Sequence, residues 1–227
     1  MSINWRIVFL LVVVSVAVKC GKPRSKLEEG LLKILEKSKK GDVGSLPIAL
    51  PSLKTVKLDP MQIKYDGFTT DLSELTVKGL EHLTMKEFSA SESDLTVSMV
   101  FTVPSLEVRA DRYHLKGKVS IFRINDRGAF EANVRNLRAK AVVKFAAKGS
   151  NVVIKKLDID YSLGQVQAHL SGSSGIVNSG FNRRLSKLLT NDKGTLITKA
   201  KHVIEKAVNK MLRGFTPAKL IETISQI

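Results

Sequence analysis

Cysteine is nearly absent from this chain of 227 residues, which contains only Cys20. No disulfide can form within the chain, so a core must hold the fold without covalent cross-links. A chain of this length buries about 70% of the surface that it exposes when unfolded, so a hydrophobic core alone can stabilise the fold. Aromatic residues are also few, at 6% with a single tryptophan. This scarcity disfavours a surface that stacks nucleic-acid bases.

Long apolar runs are missing after the N-terminus. Arg6 precedes the apolar residues 7–14 and the small residues Ser15-Val16-Ala17, which is the order of a secretory signal peptide. The run is shorter than the roughly 20 residues that a spanning helix needs. We therefore predict a signal peptide over 1–20, cleaved after Ala17 or Cys20, and a secreted, extracellular protein. An uncleaved anchor is the alternative. No Pro/Gly/Ser-rich linker divides the remainder, which predicts a single domain over 21–227.

Acidic residues are outnumbered, with 21 against 37 Lys and Arg, for a formal net charge of +16. Loss of residues 1–20 removes Arg6 and Lys19 and leaves +14. Such an excess favours anionic partners, among them an anionic membrane surface. The basic residues occur singly or in pairs such as Lys39-Lys40 and alternate with apolar residues, which is typical of the solvated face of strands. Export and the few aromatics argue against nucleic acid as a partner.

Helical patterns lie at both ends of the chain. Ser25-Lys26-Leu27-Glu28 matches a capping box, and the apolar residues that follow at helical spacing predict a short N-terminal helix that Gly41 and Gly44 end. Near the C-terminus, apolar stripes run over 181–189 and 196–212, with a break at 190–194. Pro217 predicts a last short helix through Ile224.

Between Leu46 and Leu170 the apolar residues alternate with polar ones. This period of two predicts strands with one dry and one solvated face, as in an antiparallel sheet. Turn-forming sequences separate the strands at 66–67, 91–93, 125–128 and 149–151. Several strands are long, which predicts a strongly twisted or rolled sheet. Since the dry faces must cover one another, we expect an α+β fold. In it, a strongly curved antiparallel β-sheet wraps around a long C-terminal α-helix, with a short N-terminal helix.

Five short segments, taken in order, resemble the insect juvenile hormone binding protein and takeout family of the tubular lipid-binding superfamily. They are Leu58-Asp59-Pro60-Met61-Gln62-Ile63, Val77-Lys78-Gly79-Leu80, Pro104 to Val108 with Tyr113 and Gly117, Phe181-Asn182, and Phe215 to Leu220. The resemblance implies a curved sheet wound around a long helix, with an apolar tunnel for terpenoids, fatty acids or similar ligands.

The chain departs from that family in three respects. An N-terminal cysteine pair is usual in the family, whereas here Cys20 stands alone. The sequence Asn125-Asp126-Arg127-Gly128 stands in place of a glycine-flanked turn, and the charge is more basic. The related mite group 7 allergen type is therefore a second possible resemblance.

No catalytic constellation stands out in the sequence. The four histidines, His82, His114, His169 and His202, lack metal-ligand spacing, and no phosphate-binding loop or nucleophile motif is present. Asp158 and Asp160 would share a strand face, but that face is the polar one. We therefore expect neither enzymatic activity nor a cofactor or metal.

The leading hypothesis is a secreted carrier that binds a small hydrophobic ligand in an internal tunnel. Tyrosine hydroxyls could orient a polar group of the ligand, although ordinary core or rim tyrosine is the competing interpretation. The candidate ligand-binding residues are Tyr65, Phe88, Met99, Phe101, Tyr113, Phe122, Phe145, Tyr161, Ile204 and Met211. The alternatives are a basic protein that binds anionic lipid or lipopolysaccharide at its surface, and a non-carrier interaction protein with a filled core. The oligomeric state is left open.

Overall fold

A computed structural model describes residues 25–44, 46, 52–119 and 122–227, without the side chains at 119, 122, 195, 199, 203 and 207. The predicted signal peptide and Cys20 lie outside these residues. In the described part of the chain, no helix is both long and apolar enough to cross a membrane.

Helix α1, Lys26–Lys40, begins and ends at the residues that its sequence predicts. The Ser25 hydroxyl accepts from the Glu28 amide at 3.1 Å, and the Glu28 carboxylate accepts from the Ser25 amide at 3.4 Å, so the capping box is formed. Gly41 ends the helix in the left-handed conformation, with φ of 81°, which glycine adopts without steric cost. The apolar face that these caps position packs inward through Leu27, Leu31 and Ile34.

In the part of the chain that the structure describes, eight antiparallel strands follow α1, together with a short 3-10 turn at Leu80–His82. They are β1 Val56–Leu58, β2 Met61–Tyr65, β3 Phe68–Lys78, β4 Thr84–Ser91, β5 Thr96–Val119, β6 Phe122–Lys148, β7 Asn151–Ser162 and β8 Gln165–Leu170. The main order is β1-β3-β5-β6-β7, with β2 beside β3, β4 beside β5 and β8 beside β6. The antiparallel sheet that the alternating pattern predicts is therefore confirmed.

The β5–β6 hairpin forms the spine of the sheet. With 24 residues in β5 and a rise of about 3.3 Å per residue, the strand is about 80 Å long when measured along its path. Its register with β6 shifts between Ala110 and Tyr113. An extra residue of this kind bends a strand and increases its twist, which contributes to the curvature that the long strands predict.

The prediction of a turn at 125–128 is wrong, because these residues lie inside β6. Asn125 pairs with Lys116, Gly128 pairs with Tyr113, and the last pair between the two strands is Val119 with Phe122. Turn-forming residue types express only a local preference, and a long run of cross-strand pairs overrides it. A side chain at position 128 is excluded by a close contact with the main chain of Ser171. A β-carbon at Gly128 would lie 2.3 Å from the carbonyl oxygen of Ser171.

Three helices complete the chain: α2 Gly175–Thr190, α3 Lys193–Met211 and α4 Pro217–Ser225. The break between α2 and α3 falls where the sequence predicts one. Pro217 is at the start of α4, where the missing N–H costs nothing, and the Thr216 hydroxyl caps the helix by accepting from the Lys219 amide at 3.2 Å.

The core of the described residues consists of two clusters along the sheet. The first cluster joins α1, α3 and α4 to the half of the sheet that contains β4 and β7, with Met99, Val143 and Val208 fully buried. The second joins α2 to the half that contains β3 and β8, with Leu115 and Leu170 fully buried. The helical region thus covers the dry face of the sheet along its length.

Candidate functional site

An apolar cavity lies at one end of the sheet, where α1 and α4 meet the start of β5. It has a volume of about 60 Å³. Its walls are mostly aliphatic or aromatic and include Leu27, Leu31, Val97, Phe145, Leu220 and Ile224, with Ser91, Glu92 and Thr96 as the polar lining residues. An apolar concavity with few polar groups is the usual chemistry of a site for hydrophobic small molecules.

Helices α1 and α4 contact each other and together cover one side of this cavity. The two helices approach so closely at Gly30 that a β-carbon there would lie 1.9 Å from the carbonyl oxygen of Ile224. At the C-terminus, Lys33 Nζ donates to the carbonyl of Ile227 at 3.2 Å. On the other side of α1, the Glu28 carboxylate accepts from the amide of Ala90 in β4 at 2.9 Å. Helix α1 is thus fixed to the sheet, whereas α4 is held mainly by α1.

Seven of the ten candidate ligand-binding residues fall in the first core cluster. Phe145 lines the apolar cavity itself. Met99, Phe101 and Ile204 are buried side chains of the cluster core. The remaining three, Phe88, Tyr161 and Met211, pack against it as partly buried side chains.

The other three candidates lie elsewhere. Tyr113 belongs to the second core cluster. Tyr65 lines a smaller cavity, of about 20 Å³, between β2, β3 and α2. The side chain of Phe122 is outside the described part of the structure. Seven of the candidates therefore lie in one part of the apolar interior, and the fold places two of the others away from it.

Each tyrosine hydroxyl has a protein partner in the helical region or just before it. Tyr161 donates to the carbonyl of Leu189, at the end of α2, at 2.9 Å. Tyr65 donates to the carboxylate of Asp192, between α2 and α3. The hydroxyl of Tyr113 lies 2.9 Å from the carbonyl oxygen of Ser171. Burial is the main cause that raises the pKa values of Tyr113 and Tyr161. These hydroxyls thus fasten the sheet to the helices.

The smaller cavity is closed by a charged contact that the sequence did not indicate. The Arg184 guanidinium lies 4.5 Å from the ring centre of Phe68 and 2.9 Å from a carboxylate oxygen of Asp66. Asp66 belongs to a turn and Arg184 to a helix more than a hundred positions later in the chain. No local pattern links two residues so far apart.

The carboxylates of β7 are engaged by lysines. Asp158 accepts from Lys156 at 2.8 Å and Lys201 at 3.4 Å, and Asp160 accepts from Lys193 at 2.7 Å. The hydrogen bond from the nearest lysine is the main cause that holds the pKa of each carboxyl below its ordinary value. A general acid needs the opposite shift. Among the described residues, no group of three or more His, Cys, Asp or Glu side chains could hold a metal ion.

Sequence reasoning missed most of the walls of the apolar cavity. The apolar faces of α1 and α4 are visible as helical stripes at the two ends of the chain, and the sequence shows that both faces must be buried. It does not show that they meet each other, because that contact joins residues about 190 positions apart.

Comparison with solved structures shows the fold that this chain shares. The crystal structure of Takeout 1 from Epiphyas postvittana matches 84% of this chain and 92% of its own, with a TM-score of 0.60 and 17% identity. A crystal structure of lipopolysaccharide binding protein matches 82% of this chain and 38% of its own, with a TM-score of 0.41 and 16% identity. No curated protein sequence matches the chain significantly.

The family model described as haemolymph juvenile hormone binding protein matches residues 8–222. This range includes α1, the whole sheet and nearly all of the C-terminal helical region. It also contains the segments on which the resemblance of the sequence rests. The chain therefore belongs to the haemolymph juvenile hormone binding protein family.

Proposed function

We propose that this protein is a secreted carrier that reversibly binds a small hydrophobic molecule, such as a terpenoid or fatty acid, in the apolar cavity between α1, α4 and β5. The observation that carries the proposal is the composition of that cavity, in which eleven of the fourteen lining residues are apolar. Membership in a family described by the binding of juvenile hormone supports the ligand class.

Ligand entry requires the cavity to expand. Its volume is about 60 Å³, whereas sites for drug-sized ligands occupy about 300–1,000 Å³. Helix α4 is the element suited to move, since only Ile224 of its nine residues is fully buried. Gly214 and Phe215, which precede α4, are hydrogen-bonded to β7 at Asn151 and Val152, so α4 would move from Thr216 onward. Elements with few buried contacts open at the lowest free-energy cost.

A ligand that enters under α4 would continue along the dry face of β5. Val97 lines the cavity, and Met99 is the next residue on the same face because side chains alternate along a strand. Phe145 flanks this path from β6. A micromolar Kd requires about 8 kcal/mol, which about 330 Å² of apolar burial supplies before the cost of association.

The test is a cavity-filling variant with a matched control. Ile221 lines the cavity, and Ile221→Trp adds an aromatic ring inside it. Ile176 is 75% exposed and belongs to α2, so Ile176→Trp makes the same change away from the cavity. We expect a fluorescent fatty-acid probe to bind the unmodified protein near one to one. The first variant should bind it at least tenfold more weakly, and the second with unchanged affinity.

Two results would contradict the proposal. Absence of probe binding to a correctly folded protein would favour an interaction protein with a filled core. Equal loss of affinity in both variants would place the ligand outside this cavity. Native mass spectrometry of protein isolated from its source would identify a co-purified ligand directly.

A further inference from the structure

A second surface, separate from the apolar cavity, lies at the opposite end of the β5–β6 hairpin. Here five basic residues share the outer face of the sheet: Lys64, Lys116, Lys118, Arg123 and Arg127. All five are exposed. We call this group the basic tip.

Strand register places these residues side by side. Lys116 is next to Thr69 on β3, which is in turn next to Lys64 on β2. Lys118 is directly opposite Arg123, one row nearer the end of the hairpin. The intervening residues face the interior, as shown by Gly117, which lies against the ring of Phe68. Rows on one face are about 7 Å apart and strands about 4.8 Å apart, so the patch measures about 14 Å in each direction.

The charge of the basic tip is not neutralised by the protein. None of its five residues forms an ion pair with another residue that the structure describes. The one acid in the same rows is Asp71, which accepts from the side chain of Gln62 at 2.6 Å. The rows therefore carry a net charge of +4.

Several basic residues elsewhere on the sheet have acidic partners. Arg109 pairs with Glu107 and Glu131, Arg138 with Glu87, and Lys156 with Asp158. Like charges side by side repel one another, so an unpaired group of this size costs stability unless an external anion compensates it. The basic tip differs from these ion-paired positions because its five basic residues lie in adjacent rows with one acid among them.

We propose that the basic tip docks the protein on a bilayer that contains anionic phospholipid. The patch is two-dimensional and lies on the outer face of a sheet, which fits the array of head groups at a membrane surface better than a linear polyanion. Each Lys or Arg near such a surface strengthens binding by about fivefold, and the effect falls off within a Debye length of about 8 Å at physiological salt. This docking is independent of the occupancy of the apolar cavity.

The experiment measures sedimentation of the purified protein with vesicles of phosphatidylcholine, with and without phosphatidylserine. We expect binding only to the vesicles with phosphatidylserine, and weaker binding as salt rises. The variant Lys116→Gln/Lys118→Gln/Arg123→Gln should bind about 100-fold more weakly, at fivefold for each residue. The matched control Arg109→Gln/Arg138→Gln/Lys156→Gln loses the same charge from ion-paired positions and should retain most of the binding. Circular dichroism checks that both variants are folded.

Three outcomes would overturn the proposal. They are unchanged binding by the tip variant, an equal loss in the control variant, and preferential binding of a soluble acidic polysaccharide that prevents vesicle binding. The fatty-acid probe separates this inference from the proposed carrier function. The tip variant should bind the probe as the unmodified protein does, so vesicle binding and probe binding can fail independently.

Discussion

Gly30 of α1 lies directly against the main chain of Ile224 in α4, with 1.9 Å between the position of a β-carbon on Gly30 and the carbonyl oxygen of Ile224. Only glycine allows two helices to approach this closely. The contact joins the two ends of the folded chain and closes the apolar cavity over Leu31 and Leu220.

The first prediction concerns this helix contact. Gly30→Ala should lower the free energy of unfolding by about 1–3 kcal/mol, because the methyl group forces α4 away from α1. Alanine alone would favour the helix by about 1 kcal/mol, so a net loss identifies the contact as its cause. Urea unfolding measures the change. Gly194→Ala, in α3 with open space around it, is the control and should be neutral or stabilising.

The second prediction concerns the free edge of β8. The side chain of Asn182 accepts from the amide of Ala168 and donates to its carbonyl, both at 2.6 Å, in the manner of an adjacent strand. Asn182→Ala should cost about 1–3 kcal/mol, because both main-chain groups lose their partner.

Hydrogen exchange of the Ala168 amide provides the specific readout for that variant, since exchange should become faster there. The exposed residue Asn133 on β6 gives a control substitution, Asn133→Ala, which should leave this amide protected. Unchanged exchange at Ala168 in the Asn182 variant would show that another group satisfies the edge.

The third prediction concerns alkaline pH. Burial, followed by the negative charge of Asp160, raises the pKa of Tyr161. The folded state thus binds this proton more tightly than the unfolded state. The resulting stability is present below the ordinary value of about 10 and is lost as pH rises through the higher folded-state value. In Tyr161→Phe, unfolding free energy should decrease less steeply above pH 10, and the loss of the hydrogen bond to Leu189 should cost about 1 kcal/mol at neutral pH.

The fourth prediction concerns acid pH. The hydrogen bond from Lys193 keeps the pKa of Asp160 below its ordinary value, so the folded state favours the carboxylate. Stability from this pair is present above about pH 4 and is lost as pH falls through the lower folded-state value. Asp160→Asn should therefore show a smaller decrease in unfolding free energy below pH 4. An identical acid slope in the two proteins would show that the ion pair contributes nothing.

Much of the fold could be predicted because its signals are local. The capping box at Ser25 acts on the next three residues, and Pro217 acts on the helix that it begins. The alternation of apolar residues reports which face of each strand is dry, and this predicts an antiparallel sheet. The same local chemistry predicts the wrong structure at Asn125-Asp126-Arg127-Gly128, where pairing with β5 outweighs the preference for a turn.

The candidate site could be predicted only in part. Phe145 and Met99 were among the candidates because apolar residues on the dry face of a strand must face the interior of the protein. Leu220 and Ile221 were not, because nothing in the sequence shows which helix covers the end of the sheet. The tyrosines were selected for hydroxyls that could contact a ligand, and the structure gives each hydroxyl a protein partner instead.

The sequence by itself determined the alternation of wet and dry faces, the positions of most helix ends and the excess of positive charge. These depend on residues a few positions apart. Tertiary structure alone decided that α4 contacts Gly30 and covers the apolar cavity, and that Gly128 lies inside a strand. It also decided that the basic residues without ion pairs lie side by side around Lys116. Each depends on strand register or helix docking between distant segments, which forms only when their apolar faces are buried together.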